Sequence, residues 1–294
     1  MSENPEGLFP DHAPERVVSL VPSMTESLFE LGFGQAVIGV SDYCNRPPAA
    51  QNLSKVGGPK DASIEAIAAL KPDLVIANRE ENTREMVEGL LAAGLTVWLT
   101  FPCSVREALD DLWVLARLFR SNTANLMLDV LERNLEWARL ANQERERQRV
   151  FCPIWQQTDG SNGGWWMTFN GRTYMSDLLG VFGAENVFAQ RQRRYPIQAD
   201  LGLGTAEDPG ERDTRYPRVS LAEIEAAQPD LILLPDEPYV YGEKDLAAAR
   251  ATFANTPAGR AGRIVLVEGS LLTWPGTRLG LALAELEGLI NIEA

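Results

Sequence analysis

The hydrophobic and polar positions of this chain repeat themselves. Ser63-Ile64-Glu65-Ala66-Ile67-Ala68-Ala69-Leu70-Lys71-Pro72-Asp73-Leu74-Val75-Ile76-Ala77 recurs as Ser220-Leu221-Ala222-Glu223-Ile224-Glu225-Ala226-Ala227-Gln228-Pro229-Asp230-Leu231-Ile232-Leu233-Leu234. Each copy opens on a serine suited to cap a helix, places apolar residues on one helical face, and breaks at Pro-Asp. An unbroken apolar run follows, the pattern of a parallel strand buried on both faces. Pro229 lies 157 positions after Pro72 in a chain of 294 residues. Two similar α/β lobes with a cleft between them are therefore expected.

Read outward from the first copy, the pattern predicts strands at 16–21, 37–41, 74–77 and 96–100. Helices are predicted at 23–32, 63–70 and 83–93, with Gly94 as a stop. Strand and helix alternate through short connections, the signature of a parallel sheet covered by helices. From Ser104 to about Arg149 the strand signal disappears. Leu126, Met127, Val130, Leu131, Leu135 and Leu140 recur at helical spacing, which predicts one long helix or two in series as a rigid connector. The second lobe restarts at Val150, with helices at 173–179, 220–227 and from 278, and strands at 231–234 and 264–267. Polar insertions at 157–164 and 198–218 are expected to be surface loops. The domain limits predicted are 1–103, 104–149 and 150–294.

Composition narrows the function. A net charge of −14 argues against nucleic acid and anionic membrane surfaces as partners. No stretch reaches the roughly 18–20 apolar residues of a membrane span. The opening Met1-Ser2-Glu3-Asn4-Pro5-Glu6-Gly7 has neither the basic region nor the apolar region of a secretory signal. The chain as it stands is thus expected in the cytoplasm, or in the periplasm or outside the cell if a signal has been removed. Cys44, Cys103 and Cys152 are widely spaced and odd in number, which predicts reduced thiols rather than a metal knuckle or disulfide framework.

Catalytic chemistry is poorly provided for. The single histidine, His12, lies in the polar N-terminal segment, so a Ser-His or Cys-His pair is not expected. No phosphate-binding loop is present: Gly57-Gly58-Pro59-Lys60 lacks the preceding strand and the spacing. Glu80-Glu81 and Asp236-Glu237 read as solvated loop carboxylates. An enzyme built on Asp236, Glu237 or Cys44 is the alternative to a binding protein.

The informative chemistry follows the strands, where open parallel sheets bind ligands. Tyr43, Arg79, Trp165, Tyr239, Tyr241 and Trp274 are the predicted ligand-binding residues. Flat aromatic faces with a few cationic anchors suit a large, partly planar ligand carrying carboxylates or amides. Trp165 and Trp166 compete for one cleft position, the other being core. Trp98, Trp113 and Trp137, inside regular elements, are expected in the core.

Five segments form a set: Arg16-Val17-Val18-Ser19-Leu20-Val21-Pro22-Ser23-Met24-Thr25-Glu26, Val37-Ile38-Gly39-Val40-Ser41, Pro47-Pro48, Leu70-Lys71-Pro72-Asp73-Leu74-Val75-Ile76-Ala77 and Gly183-Ala184-Glu185-Asn186-Val187-Phe188. Through them the chain resembles the helical-backbone solute-binding proteins of ABC transporters, the vitamin B12 and ferric-siderophore binding class. The resemblance covers nearly the whole chain from about residue 15. It implies two Rossmann-like α/β lobes with central parallel sheets, joined by a long rigid helix, and a ligand held in the cleft. The expected ligand is a metal chelate: corrinoid, haem-like or siderophore, with cobalamin one possibility among these. Tyr43 matches a cleft tyrosine of the family, whereas Pro59 and Asn78 stand where cobalamin binders carry tryptophans.

The family docks on its permease through one glutamate per lobe. The resemblance assigns that role to Glu65 and, with Ala222 at the matching position, to the adjacent Glu223. A monomeric, non-catalytic binding protein is expected, with an ABC permease as its further partner. The alternative is an intracellular carrier or sensor of the same fold with no permease partner.

Overall fold

A computed structural model describes residues 12–158 and 164–291. Its chain divides into two compact units, Met1–Asn134 with Trp274–Gly280, and Leu135–Thr273 with Leu281–Ala294.

The first unit contains β1 (Val17–Ser19), α1 (Pro22–Glu30), β2 (Val37–Val40) and β3 (Ser54–Lys55). It continues with α2 (Ile64–Ala69), β4 (Leu74–Asn78), α3 (Arg84–Ala92), β5 (Val97–Thr100) and α4 (Val105–Leu118). Its strands form one parallel sheet in the order β3-β2-β1-β4-β5. Central β4 is buried along its whole length, as its unbroken apolar run requires. Val18, Leu20, Ile67, Val75 and Leu90 lie in the core cluster of this unit. After β5 come two helices in series, α4 within the first unit and then α5 (Asn122–Asn142), and the boundary between units falls within α5.

The second unit comprises β6 (Gln148–Phe151), β7 (Trp155–Gln157), β8 (Trp165–Met167), α6 (Tyr174–Val181) and β9 (Ala184–Asn186). There follow α7 (Ile197–Asp200), β10 (Arg218–Val219), α8 (Leu221–Ala227), β11 (Leu231–Pro235) and α9 (Glu243–Thr252). The last elements are α10 (Pro257–Arg260), β12 (Ile264–Val267), α11 (Ser270–Thr273) and α12 (Leu279–Ile290), which starts in the first unit's segment. A parallel sheet runs β12-β11-β6-β9. Its core is aromatic, with Phe151 edge-on to Phe188 and Phe253 at 5.5 and 6.0 Å.

The sequence repeat is a repeat of structure. Ser63 caps α2 through a hydrogen bond from the Ala66 amide, 3.1 Å, and Ser220 caps α8 from the Glu223 amide, 3.3 Å. Each helix ends at a residue in the left-handed region, Lys71 at φ 51° and Gln228 at φ 43°. An arginine at the start of the neighbouring sheet strand, Arg16 just before β1 and Arg149 in β6, then closes the turn. Arg16 donates to the carbonyls of Leu70 and Lys71, and Arg149 to those of Ala227 and Gln228. The aspartate of each Pro-Asp pair accepts from the backbone amide of that same arginine, Asp73 from Arg16 and Asp230 from Arg149. The orphan carbonyls of each helix end are thereby satisfied and the next strand is fixed in register.

Three departures from the expected pattern bear on function. A second, antiparallel sheet, β10-β8-β7, lies beyond the carboxyl end of β6, where a loop was expected between 157 and 164. Residues 159–163 of that insertion lie outside the described residues. The 198–218 insertion holds the end of α7 and supplies the first residue of β10. Trp137, expected in the core, is 72% exposed on α5, because helical spacing alone does not tell a buried stripe from an exposed one. Trp98 is buried as expected, and Trp113 is only half-buried.

Candidate ligand-binding surfaces

Strand alternation assigns the tryptophans of the second unit. Residues on neighbouring strands face the same side in pairs, Trp155 with Met167, Gln156 with Trp166, and Gln157 with Trp165. Arg218 pairs with Met167 and Val219 with Trp166. One face therefore carries Gln156, Trp166 and Val219, and it is the core face: Trp166 is 3% exposed and packs on Phe253, ring centroids 5.2 Å apart. The other carries Trp155, Gln157, Trp165, Met167 and Arg218. Trp155 is 45% exposed, and Trp165 and Met167 are half-exposed. The open choice between Trp165 and Trp166 resolves with Trp166 inside.

Tyr239, just past the end of β11, extends this apolar platform. Its ring meets Trp155 edge-on at 5.6 Å. Its hydroxyl is held by Gln156 Nε2 at 3.1 Å, and that nitrogen also donates to Asp245 Oδ1 at 2.7 Å. Asp245 in turn accepts from the Gly242 amide at the start of α9, so the platform is braced against a helix end. Tyr241 belongs behind it. At 3% exposure it sits in the core cluster of the unit, with its ring 4.6 Å from that of Tyr239. Burial raises its phenol pKa well above the ordinary value.

The first unit arranges its aromatic and cationic groups differently. Tyr43, two residues past the last Ser41–Ser19 backbone bond, is 65% exposed. The Arg79 guanidinium lies 5.0 Å from the centroid of Phe101, each following a neighbouring strand, β4 and β5. Trp274, from the segment 274–280, lies within cation–π distance of two arginines, Arg46 at 5.7 Å and Arg278 at 5.6 Å. Arg278 is buried and donates to both carboxylate oxygens of Glu26, 2.8 and 2.7 Å. The close approach needs Gly276: a Cβ there would fall 2.5 Å from Ser27 Oγ.

The two glutamates assigned to docking differ in the same way. Glu65 is exposed in the first turn of α2; the backbone amide and the Ser63 hydroxyl lower its pKa. Glu223 is occupied. It accepts from the Ser220 amide at 3.0 Å, completing a capping box, and from Arg191 Nε at 3.0 Å. Ala222 takes the exposed position beside it.

The groups considered for catalysis are also engaged in holding the fold. Asp236 Oδ1 accepts from the Gly269 amide at 2.6 Å, and Glu237 Oε1 from Thr273 Oγ1 at 2.7 Å. Cys44 is buried, 3.1 Å from the hydroxyls of Thr25 and Ser41, and burial raises its pKa. All three cysteines are free thiols. Among the described residues, no group of three metal-ligating side chains is assembled and no helix is long and apolar enough to cross a membrane.

A family model described as periplasmic binding protein matches residues 17–271. The vitamin B12-binding protein of Yersinia pestis (strain Pestoides F) is 29% identical over 188 residues, 64% of this chain. The chain spans 65% of the length of that relative. Among solved structures, the periplasmic vitamin B12 binding protein BtuF of Vibrio cholerae superposes with a TM-score of 0.75 at 22% identity, covering 96% of this chain and 98% of that one. At that identity the likeness is one of fold. The periplasmic heme-binding protein BhuT, solved in complex with two hemes, gives a TM-score of 0.73 at 26% identity, covering 95% and 98%.

Proposed function

The chain belongs to the periplasmic binding protein family, and from that premise we propose that it is a non-catalytic receptor for a metal chelate. The ligand class is corrinoid, haem-like or siderophore, and an ABC permease is the receiving partner. The observation that carries this reading is the platform of Trp155, Trp165, Met167 and Tyr239, half-exposed yet rigidly braced. Such a surface has little to lose in side-chain entropy when a flat ligand settles on it. Tyr43, Arg79 and Trp274 are the proposed contacts on the first unit, and Trp165 and Tyr239 on the second. Relatives and structural neighbours named for binding vitamin B12 or heme support the same class.

Absence of turnover is part of the proposal. Asp236 and Glu237 are committed to the backbone and to Thr273. Burial raises the pKa of the Cys44 thiol, which disfavours the thiolate a nucleophile needs.

Thermal melting with cobalamin, iron protoporphyrin and ferric siderophores tests the reading. A ligand present at about 100 times its Kd adds roughly 2.7 kcal/mol to the native state, a clear rise in Tm. A rise with one chelate, reduced by Trp165→Ala, is expected. Unchanged melting with every member of the panel would remove the chelate reading and leave the family membership.

A carrier with no permease is the second reading, favoured by one observation: the second-unit docking carboxylate is already bound to Arg191. Binding of the loaded protein to permease-containing membranes, lost on Glu65→Ala, would reject it.

A further inference from the structure

The margin of the platform holds two arginines that no acid neutralises in full. Asp200, completely buried, organises them. Its carboxylate accepts from the backbone amides of Arg194 at 2.9 Å and Arg218 at 2.8 Å, so residues 193–194 and 218 are gathered around one side chain. Arg191 takes most of what charge compensation is available, pairing with Asp200 at 3.1 Å and Glu223 at 3.0 Å. For Arg218 there remains only a long contact with Asp200, 3.8 Å. Arg193 makes no ion pair among the described residues.

Neither guanidinium donates a hydrogen bond to a described residue, and the Nε of each is buried without an acceptor. Both are held by rings instead: Arg218 lies 5.2 Å from the Trp165 centroid and Arg193 4.7 Å from that of Tyr195. Stacking fixes a guanidinium plane while leaving its charge and donors unspent. Burial lowers the Arg218 pKa, and the positive charge of Arg193 lowers it further, so the two cations are close enough to repel. Like charges held together in this way are stabilised by an anion.

We propose that Arg193 and Arg218 form a binding site for a carboxylate or phosphate group at the edge of the Trp155–Trp165–Met167 platform. The anion is a peripheral group of the molecule lying on the platform; that identification rests on the reading given under Proposed function. A guanidinium fork presents parallel donors to the two oxygens of a carboxylate or to those of a phosphate, and here both Nε donors are free to be used. The protein as a whole carries a charge of −14, which repels free anions, so the site selects an acid tethered to an apolar body.

Two arms of one titration experiment test this. The first uses inorganic pyrophosphate and citrate at constant ionic strength; the second compares iron protoporphyrin with its dimethyl ester. The proteins are wild type, Arg193→Gln, Arg218→Gln, the double variant, and Arg84→Gln as a control for net charge. Arg193→Lys, which keeps the charge, guards against a folding defect. The expected result is at least tenfold tighter binding of the diacid than of the diester, lost in the double variant and kept in Arg84→Gln. Saturable pyrophosphate binding that the double variant loses, with neither porphyrin bound, supports the anion site while removing the haem-like class from the function. Equal binding of diacid and diester, with no anion binding, overturns the site and leaves the chelate reading standing. Blank results in both arms overturn it as well.

Discussion

Arg16 and Arg149 do the same work in the two units, whereas Glu65 and Glu223, one helix position apart in the repeat, do not. Each arginine closes a helix end and each Pro-Asp aspartate fixes the next strand. Glu65 stands exposed in its first turn, while Glu223 is tied into a cap and an ion pair. Backbone closure is thus shared and side-chain chemistry at the surface has diverged. The reason is energetic: an unsatisfied carbonyl at a helix end costs the same in either unit, whereas an exposed carboxylate can be reassigned at little cost.

The buried charges extend the comparison, and the largest expected effects lie there. Among the described residues each unit has a knot of buried charge, Glu26 with Arg278 in the first and Asp200 with Arg191 in the second. Removing one partner strands a buried charge, so Glu26→Ala and Asp200→Ala should each cost about 3–5 kcal/mol in urea melts. A loss below about 1 kcal/mol in either would show that the two knots are not equivalent.

Asp111 breaks the symmetry. It is buried on α4 and no described residue donates a hydrogen bond to it, whereas Asp200 is saturated with donors. Burial first, then the charges of Asp110 and Glu107, raise its pKa from 3.8 to about 7. A carboxyl with a raised folded-state pKa holds its proton longer in the folded chain. The contribution of Asp111 to stability therefore falls as the pH rises from about 4 to about 7, by up to about 4 kcal/mol. Asp111→Asn should flatten that fall, leaving the variant the more stable protein at pH 8 but not at pH 4. Parallel pH profiles for variant and wild type would refute the assignment.

Smaller effects sharpen the repeat itself. Asp73 accepts from the amides of both Glu15 and Arg16, and Asp230 accepts from that of Arg149. Asp73→Ala should cost about 2 kcal/mol and Asp230→Ala about 1 kcal/mol. At the cap, Glu223→Ala should cost about 1 kcal/mol, and Glu65→Ala, which gives up only exposed first-turn hydrogen bonds, should lower the Tm less. Equal losses at the two glutamates would mean that Glu223 is as free as Glu65.

Much of this architecture was legible in the sequence, because the Ser-to-Pro-Asp segment couples a helix period to an unbroken apolar strand. Both parallel sheets follow from it. The small antiparallel sheet was harder to see. Its strands are only two or three residues long, and a polar insertion separates two of them. The signal was present as alternation around Trp166, with Trp165 and Met167 on one side and Trp166 on the other. Trp155 and Arg218 join that face only through strand pairing, which sequence spacing does not carry. Tyr241 shows the converse: a residue after a strand end need not face outward, since Tyr241 lies inside the core while Tyr239, packed against that core, reaches Trp155 with its ring edge.

The segment Trp274–Gly280 has a consequence for the order in which the molecule can be made. It belongs to the first unit, yet it is separated from Asn134 by nearly the whole of the second. During synthesis Glu26 emerges from the ribosome 252 residues ahead of Arg278, its buried partner. Until then that carboxylate must stay hydrated, and Ser27 has no Thr277 amide to receive. The N-terminal half of the chain is therefore translated first and completed last, so a stalled or truncated product lacks the finished first unit even when every residue up to Asn134 is present.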